Sequence, residues 1–223
     1  MEAFLAYSIY FHAFCGFVAL VAGGISMAAE KGRPLHRIAG KIYFGAMTGV
    51  FITAVYVAAI RQNVFLLMVG FFSYHMICSG YRALYLKKLH REQKPSLTDW
   101  FIASAAGIFN LILLGWGLYA AFIRQDTIGI VAMVFAFTGL GYVYADVKKF
   151  FVRPAEKNHW LISHVNGMIG GYIATWTAFL VVNITFLPAL VLWLGPAAAG
   201  VPVIIYFIRK IKASGIKVQS IHN

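Results

Sequence analysis

The chain alternates between long apolar stretches and short polar segments. Seven of the apolar stretches reach about 20 residues, the length that a helix needs to cross a hydrocarbon core of about 30 Å. The polar segments between them are too short to hold a soluble domain. The pattern therefore predicts an all-α membrane protein whose residues 1–223 form a single transmembrane domain of seven helices. The predicted helices cover about 3–28, 37–60, 63–86, 99–122, 127–147, 160–184 and 187–208.

Composition supports the same class of protein. Hydrophobic residues make up 61% of the chain and charged residues only 12%. A soluble domain of this length needs more polar surface than these fractions supply. We therefore expect nearly the whole chain to lie in lipid.

Positive charge falls on one side of the predicted bundle. All but two of the 19 Lys and Arg residues follow helices one, three, five and seven, and the exceptions are Arg61 and Arg124. Because cations are retained on the cytoplasmic side during insertion, we expect the N-terminus outside and the C-terminus in the cytoplasm. The basic face is expected to bind anionic lipid headgroups. Its cations are scattered over loops with no folded domain behind them, which argues against nucleic acid as a partner.

Two predicted hairpins share residues at a nearly constant offset. The ends of helices three and five match at an offset of 61, and helices four and six match at an offset of 60. The pattern predicts an internal duplication in which helices three and four correspond to helices five and six, related by an axis along the membrane normal. The matching pairs are Gly80-Tyr81 with Gly141-Tyr142, Trp100 with Trp160, and Gly107 with Gly167.

Polar side chains at membrane depth are costly, so they point to a functional site. Helices one, two, three and six each carry small or polar residues at helical spacing, which predicts an interior formed by these four helices. Each stripe taken alone also suits close helix packing. By depth, His12 and His75 share a layer near mid-membrane, whereas His36 and His164 lie toward the cytoplasmic boundary. Further polar interior candidates are Arg82, Ser79, Tyr43 and Asn166.

Two layers of histidines resemble the diheme b-type cytochromes of four-helix membrane bundles. In those proteins a histidine from each of two helices binds the haem iron, and glycines make room for the macrocycle. The resemblance favours a redox protein with haem b or another metal, bound by His12 with His75 and by His36 with His164. Glycines in the same stripes are Gly16, Gly23, Gly40, Gly167 and Gly171.

A second metal hypothesis places zinc near one leaflet. His36, His159, His164 and Asp146 supply the residue types of a zinc-dependent membrane hydrolase of lipid amides, similar to the alkaline ceramidases and adiponectin receptors. Zinc in such a site lowers the pKa of a bound water. Those proteins place a His-x-x-x-His pair in their last helix, and helix seven here contains no histidine.

Two hypotheses need no metal. A small-molecule or proton transporter would depend on Arg82 or Asp146, because buried charges mark ion and substrate pathways. A scaffold without a cofactor would use the polar stripes for helix packing alone. The aromatic residues, 16% of the chain, are also compatible with a lining for a quinone or a lipid.

One run of residues resembles a known family. The segment His36-Arg37-Ile38-Ala39-Gly40-Lys41-Ile42-Tyr43, with Phe11-His12 before it and Gly80-Tyr81-Arg82 after it, is similar to a prokaryotic family of predicted membrane proteins classed as a domain of unknown function. The resemblance covers the first three helices. It implies a multi-pass protein of the bacterial inner membrane with His12, His36 and Arg37 in its signature. It implies no activity.

Overall fold

Seven long helices, each apolar along most of its length, build the protein. The computed structural model describes residues 2–220, and the side chains of residues 2–214. Every one of the seven is long and apolar enough to cross a membrane, so the predicted seven-helix fold is confirmed. The helices are α1 (Glu2–Ala28), α2 (Pro34–Ile60), α3 (Val64–Arg82), α4 (Leu97–Leu118), α5 (Ile128–Phe151), α6 (His159–Asn183) and α7 (Ala189–Ser220).

Local chemistry at the helix ends shifts some predicted boundaries. The Ser96 hydroxyl accepts the backbone N–H of Asp99, and the Asp99 carboxylate accepts the backbone N–H of Ser96 at 2.7 Å. This reciprocal capping box fixes the start of α4 at Leu97, before the apolar stretch itself begins. At the other end, a π-helical turn at Tyr119–Ile123 extends α4. A 3₁₀ turn at Ala83–Tyr85 extends α3 in the same way.

The last helix differs most from its prediction. The sequence predicts a span that ends near residue 208 and is kinked or broken by its prolines. In the structure α7 runs from Ala189 to Ser220 with Pro196 and Pro202 inside it. Hydropathy marks where the apolar stretch stops, but a helical backbone continues past that point because charged residues such as Lys and Arg are good helix formers.

One end of the bundle collects the cationic segments, and it is called the basic end below. There α1, α3 and α5 end and α2, α4 and α6 begin. All Lys and Arg residues in the described side chains except Arg61 and Arg124 lie at or near this end. The assignment of the basic end to the cytoplasm remains a prediction from charge.

The central helix is α3, which packs against α2, α4, α5 and α6. Four helices form a closed group, because α1 and α3 each pack against both α2 and α6. Across its diagonals, the backbones of α2 and α6, and those of α1 and α3, make no close approach over the described residues. This group of α1, α2, α3 and α6, called the histidine bundle below, contains the same four helices that the polar stripes single out.

The other half of the protein has an apolar and largely aromatic core. Here α4 packs against α3 and α5, while α7 packs against α5 and α6. Phe72 of α3 and Phe135 of α5 stack with their ring centres 5.1 Å apart. This group, called the aromatic cluster below, lies on the side of His75 away from the basic end. Its buried members include Phe65, Met68, Phe72, Leu113, Val131, Phe135 and Trp193.

The two hairpins of the predicted duplication pack differently. Helices α3 and α4 lie against each other, whereas α5 and α6 make no close backbone approach within residues 2–220. Instead α6 packs against α3. The duplication therefore stays a prediction from the sequence.

Candidate functional site

The histidine bundle brings two imidazoles together at its basic end. His36 lies in the first turn of α2 and His164 in the second turn of α6. Their ring centres are 6.5 Å apart and their planes are inclined by 81°. Because α2 and α6 are diagonal neighbours whose backbones stay apart, the two rings lie opposite each other across the bundle.

Each ring of this histidine pair is held through its Nδ1 atom. The Nδ1 of His36 lies 2.9 Å from the backbone carbonyl oxygen of Ser26, and the Nδ1 of His164 lies 2.9 Å from that of Gly80. A carbonyl only accepts, so Nδ1 is the donor in both rings and the Nε2 lone pairs are left free. Histidines that bind metals are commonly oriented by this kind of bond.

The structure does not bring His12 and His75 together. The Nδ1 of His12 lies 2.9 Å from the hydroxyl of Thr53 on α2. His75 faces α5 instead, where its Nε2 lies 3.3 Å from Asp146 Oδ2. Equal depth therefore does not make a pair, because α1 and α3 stand on opposite corners of the histidine bundle.

The proposed zinc ligands are also divided. His36 and His164 lie inside the histidine bundle, whereas Asp146 and His159 line a cavity between α3, α4, α5 and α6. Among the described residues, no three His, Cys, Asp or Glu side chains lie close enough to hold a metal ion. The predicted set of three histidines and an acid is therefore not assembled.

The cavity that contains Asp146 gathers most of the buried charge. Its volume is about 20 Å³, room for about one water molecule. It opens toward the basic end and is called the charged cavity below. Its polar lining residues are Ser79, Arg82, Asp99, Asp146, Lys149, His159 and Ser163.

One side of the charged cavity is an arginine–aspartate pair. Arg82 of α3 donates from Nε to Asp99 Oδ1 at 2.8 Å and from Nη2 to Oδ2 at 3.1 Å. The same Nη2 also donates to the Ser96 hydroxyl at 3.2 Å. The bidentate geometry satisfies both carboxylate oxygens, so this pair is closed and joins the basic ends of α3 and α4.

Replacing Arg82 with glutamine is expected to destabilise the protein. The change leaves the Asp99 side chain, only 1% exposed, without its cation, and breaking a buried ion pair costs about 3 kcal/mol. Arg33→Gln is the control, because the Arg33–Glu30 pair is exposed and should contribute less than about 1 kcal/mol. Thermal unfolding of both variants in detergent measures the difference, and equal destabilisation would contradict the expectation.

The other side of the charged cavity is a three-residue chain around Asp146. Lys149 Nζ donates to Asp146 Oδ1 at 2.7 Å and to the Ser163 hydroxyl at 2.9 Å. The remaining carboxylate oxygen faces His75 Nε2 at 3.3 Å. Only one full cation therefore contacts Asp146, and its second neighbour is an imidazole.

Two buried imidazoles near the charged cavity have nitrogens without a hydrogen bond. Both ring nitrogens of His75 and the Nε2 of His159 are enclosed and lack a hydrogen-bond partner. The His159 ring lies 5.6 Å from the ring of His90, which belongs to the loop before α4. A buried polar atom without a partner is costly, and in the described residues only Asn110 Oδ1 shares this condition with these three nitrogens.

Helix α6 separates the two sites. Ser163 turns toward the charged cavity, while the next residue, His164, turns into the histidine bundle. One turn further along, Gly167 lies directly against the backbone of α3 at Met76 and Gly80. The two sites therefore share one short segment of α6.

The remaining predicted polar residues have structural partners. The hydroxyl of Tyr43 lies 3.3 Å from that of Thr175, across the middle of the histidine bundle. Asn166 Oδ1 accepts a hydrogen bond from the Tyr142 hydroxyl at 3.1 Å. Ser79 lines the charged cavity.

Three residues of the charged cavity were not predicted as site residues: Asp99, Lys149 and Ser163. The spacing Ser96-x-x-Asp99 is that of a helix capping box, and Asp146-x-x-Lys149 is that of an ion pair on one helix face.

At most of the glycines expected to make room for a macrocycle, the space beside the residue is occupied by a neighbouring helix. A Cβ atom added at three of them would collide with another helix. These glycines therefore bring helices together, as small residues do in membranes. Gly16 and Gly40 would accept a Cβ without collision. The three filled positions are Gly23 against Tyr172, Gly167 against the α3 backbone, and Gly171 against Ile77.

Comparison with known proteins identifies a family but no activity. The sequence model of a family described as "Predicted membrane protein (DUF2306)" matches residues 9–146. The match runs from α1 to Asp146 in α5 and stops before α6. No curated protein and no solved structure matches the chain.

Proposed function

The chain belongs to the DUF2306 family of predicted membrane proteins, and because that description includes no activity, we propose a function from the chain's own residues. In this proposal His36 and His164 would hold the iron of one b-type haem, and the protein would transfer electrons within the membrane.

The distance between the two rings carries this proposal. A metal atom held between the two rings, about 2 Å from one nitrogen of each, would require a separation of roughly 6 Å between the ring centres. The observed separation is 6.5 Å. The Nδ1 bonds to Ser26 and Gly80 leave the Nε2 atoms free to bind iron.

The number of ligands favours haem over a bare metal ion. Haem iron takes four nitrogens from the macrocycle and needs only two axial ligands from the protein. Structural and catalytic zinc sites need three or four protein ligands. No third His, Cys, Asp or Glu joins the pair in the described part of the chain.

The surroundings of His36 are more open than those of His164. The backbones of α2 and α6 do not approach each other closely, and both histidines are half-buried. Gly40, one turn after His36, has only ordinary contacts, whereas Gly167 is closed against α3. A macrocycle would therefore have to be accommodated on the α2 side of the histidine pair. On that side, exposed Arg37 and Lys41 are suited to pair with the haem carboxylates.

Bound haem would supply one-electron chemistry, and the chain would hold and tune it. The carbonyls of Ser26 and Gly80 fix the ring orientations through Nδ1 and raise the basicity of the Nε2 ligands. A more basic axial ligand stabilises the oxidised iron, so these two bonds are expected to lower the reduction potential.

An oxidised-minus-reduced absorption spectrum of the detergent-purified protein, with metal analysis of the same sample, tests the proposal. We expect a Soret band and split visible bands of low-spin haem at one iron per chain. A colourless protein after expression with added haem precursor would overturn the proposal. A stoichiometric metal without haem would also overturn it and would assign the histidine pair to a bare ion.

A further inference from the structure

We propose that Asp146, which lines the charged cavity, and His75, which lies against it, share one exchangeable proton supplied from the basic end. This inference uses a different face of α6 from the proposed haem site and does not depend on haem being bound.

The two buried acids beside the charged cavity have unequal partners. Asp99 is neutralised by the bidentate Arg82 and is closed to further chemistry. Asp146 has one cation, Lys149, on Oδ1 and only His75 beside Oδ2. A proton added to His75 would turn the 3.3 Å approach into a charge-assisted pair, so His75 and Asp146 together can hold one further proton.

The burial of His75 and its lack of hydrogen bonds also favour a proton shared with Asp146. Its side chain is 2% exposed and neither ring nitrogen has a hydrogen bond of good geometry. An imidazole at this depth in a membrane needs a partner. Its Nε2 lies 3.3 Å from Asp146 Oδ2, so a proton bound between these two atoms would be shared by His75 and Asp146.

The charged cavity offers a route to the site from the basic end. The charged cavity has room for about one water molecule and is lined by Asp146 and His159. The unpartnered His159 Nε2 is enclosed beside it, and the His159 ring contacts His90 of the loop before α4. Beyond His75 the aromatic cluster closes the path with Phe72 and Phe135.

The groups that face the pair come from four helices. They are Arg82 of α3, Asp99 of α4, Lys149 and Tyr142 of α5, and Ser163 and His159 of α6. Arg82 and Asp99 cancel each other, and the Tyr142 hydroxyl donates to Asn166. The proton therefore enters a site whose fixed charges sum to zero when His75 is neutral.

Potentiometric titration of the full chain in detergent tests the inference. Wild type, His75→Gln, Asp146→Asn and the double variant are compared between about pH 8 and about pH 5, where imidazoles titrate. We expect each single variant to bind one proton fewer than wild type, and the double variant to lose no more than either single variant. This non-additivity is the signature of a shared proton.

Asp126→Asn is the matched control. Asp126 is an exposed acid just before α5, where its Oδ1 accepts from the Ile128 N–H, and it lies far from the charged cavity. This variant is expected to titrate like wild type. An unchanged titration of Asp146→Asn, or a loss of two protons in the double variant, would overturn the inference.

Asp146→Asn also disrupts the bond between Asp146 and Lys149 and could lose protons through misfolding. His75→Gln keeps that bond and therefore separates loss of the shared proton from misfolding. If this variant binds as many protons as wild type, the inference fails whatever Asp146→Asn shows. A colourless preparation with the shared proton intact would overturn the haem proposal and leave this inference standing.

Discussion

His36→Ala and His164→Ala are each expected to abolish the low-spin haem spectrum. Each substitution removes one of the two axial ligands, and no other His, Cys, Asp or Glu in the described residues stands beside the pair to replace it. We expect at least a tenfold fall in bound haem per purified chain, which corresponds to about 1.4 kcal/mol of binding free energy. Absorption spectra and haem extraction measure the loss.

His12→Ala is the matched control for these two variants. His12 is also a half-buried histidine of the histidine bundle, with its Nδ1 against Thr53. The variant should keep its haem, because this residue lies in the other half of the membrane span. Equal loss of haem in His12→Ala would show that the spectrum reports general damage to the bundle and would leave the histidine pair without support.

Gly167→Leu is expected to prevent folding. A Cβ atom at this position would lie 2.5 Å from the Met76 carbonyl oxygen and 2.7 Å from Gly80. These neighbours are backbone atoms of α3, so no side chain can turn aside to make room. Overpacking of flexible cores already costs about 1–3 kcal/mol, and here the two helices have to separate. We expect aggregation or a broad elution profile in size-exclusion chromatography.

Gly16→Leu is the control for this substitution. It is also a glycine in a membrane-spanning helix of the histidine bundle, but nothing lies within 4 Å of a Cβ atom built there. We expect a monodisperse protein with near wild-type thermal stability. If both variants fold, close contact between α3 and α6 at Gly167 is not required for the fold.

The seven spans were predictable because length and hydropathy are local properties of the chain. The start of α4 was less accessible, since Ser96 and Asp99 extend the helix into a polar segment. Helix α7 was predicted too short for the related reason that its cationic end continues the helix outside the apolar stretch.

The candidate sites show where sequence reasoning stops. Counting residues gave the depth of each histidine, and depth alone allowed two pairs, His12 with His75 and His36 with His164. The structure brings only His36 and His164 together, because depth does not specify which side of a helix faces which neighbour. The closeness of His75 to Asp146 and of Arg82 to Asp99 depends on how α3, α4 and α5 pack, and no local pattern encodes that arrangement.

The adjacency of Ser163 and His164 on α6 has a thermodynamic consequence. If electron uptake beside His164 changes the proton affinity at Asp146, protonation must change the electron affinity by the same free energy. A full linkage of one proton to one electron would lower the midpoint potential by about 59 mV per pH unit. The segment of α6 that joins the two sites is held against α3 at Gly167. Through this segment, the midpoint potential would depend on the pH at the basic end of the protein.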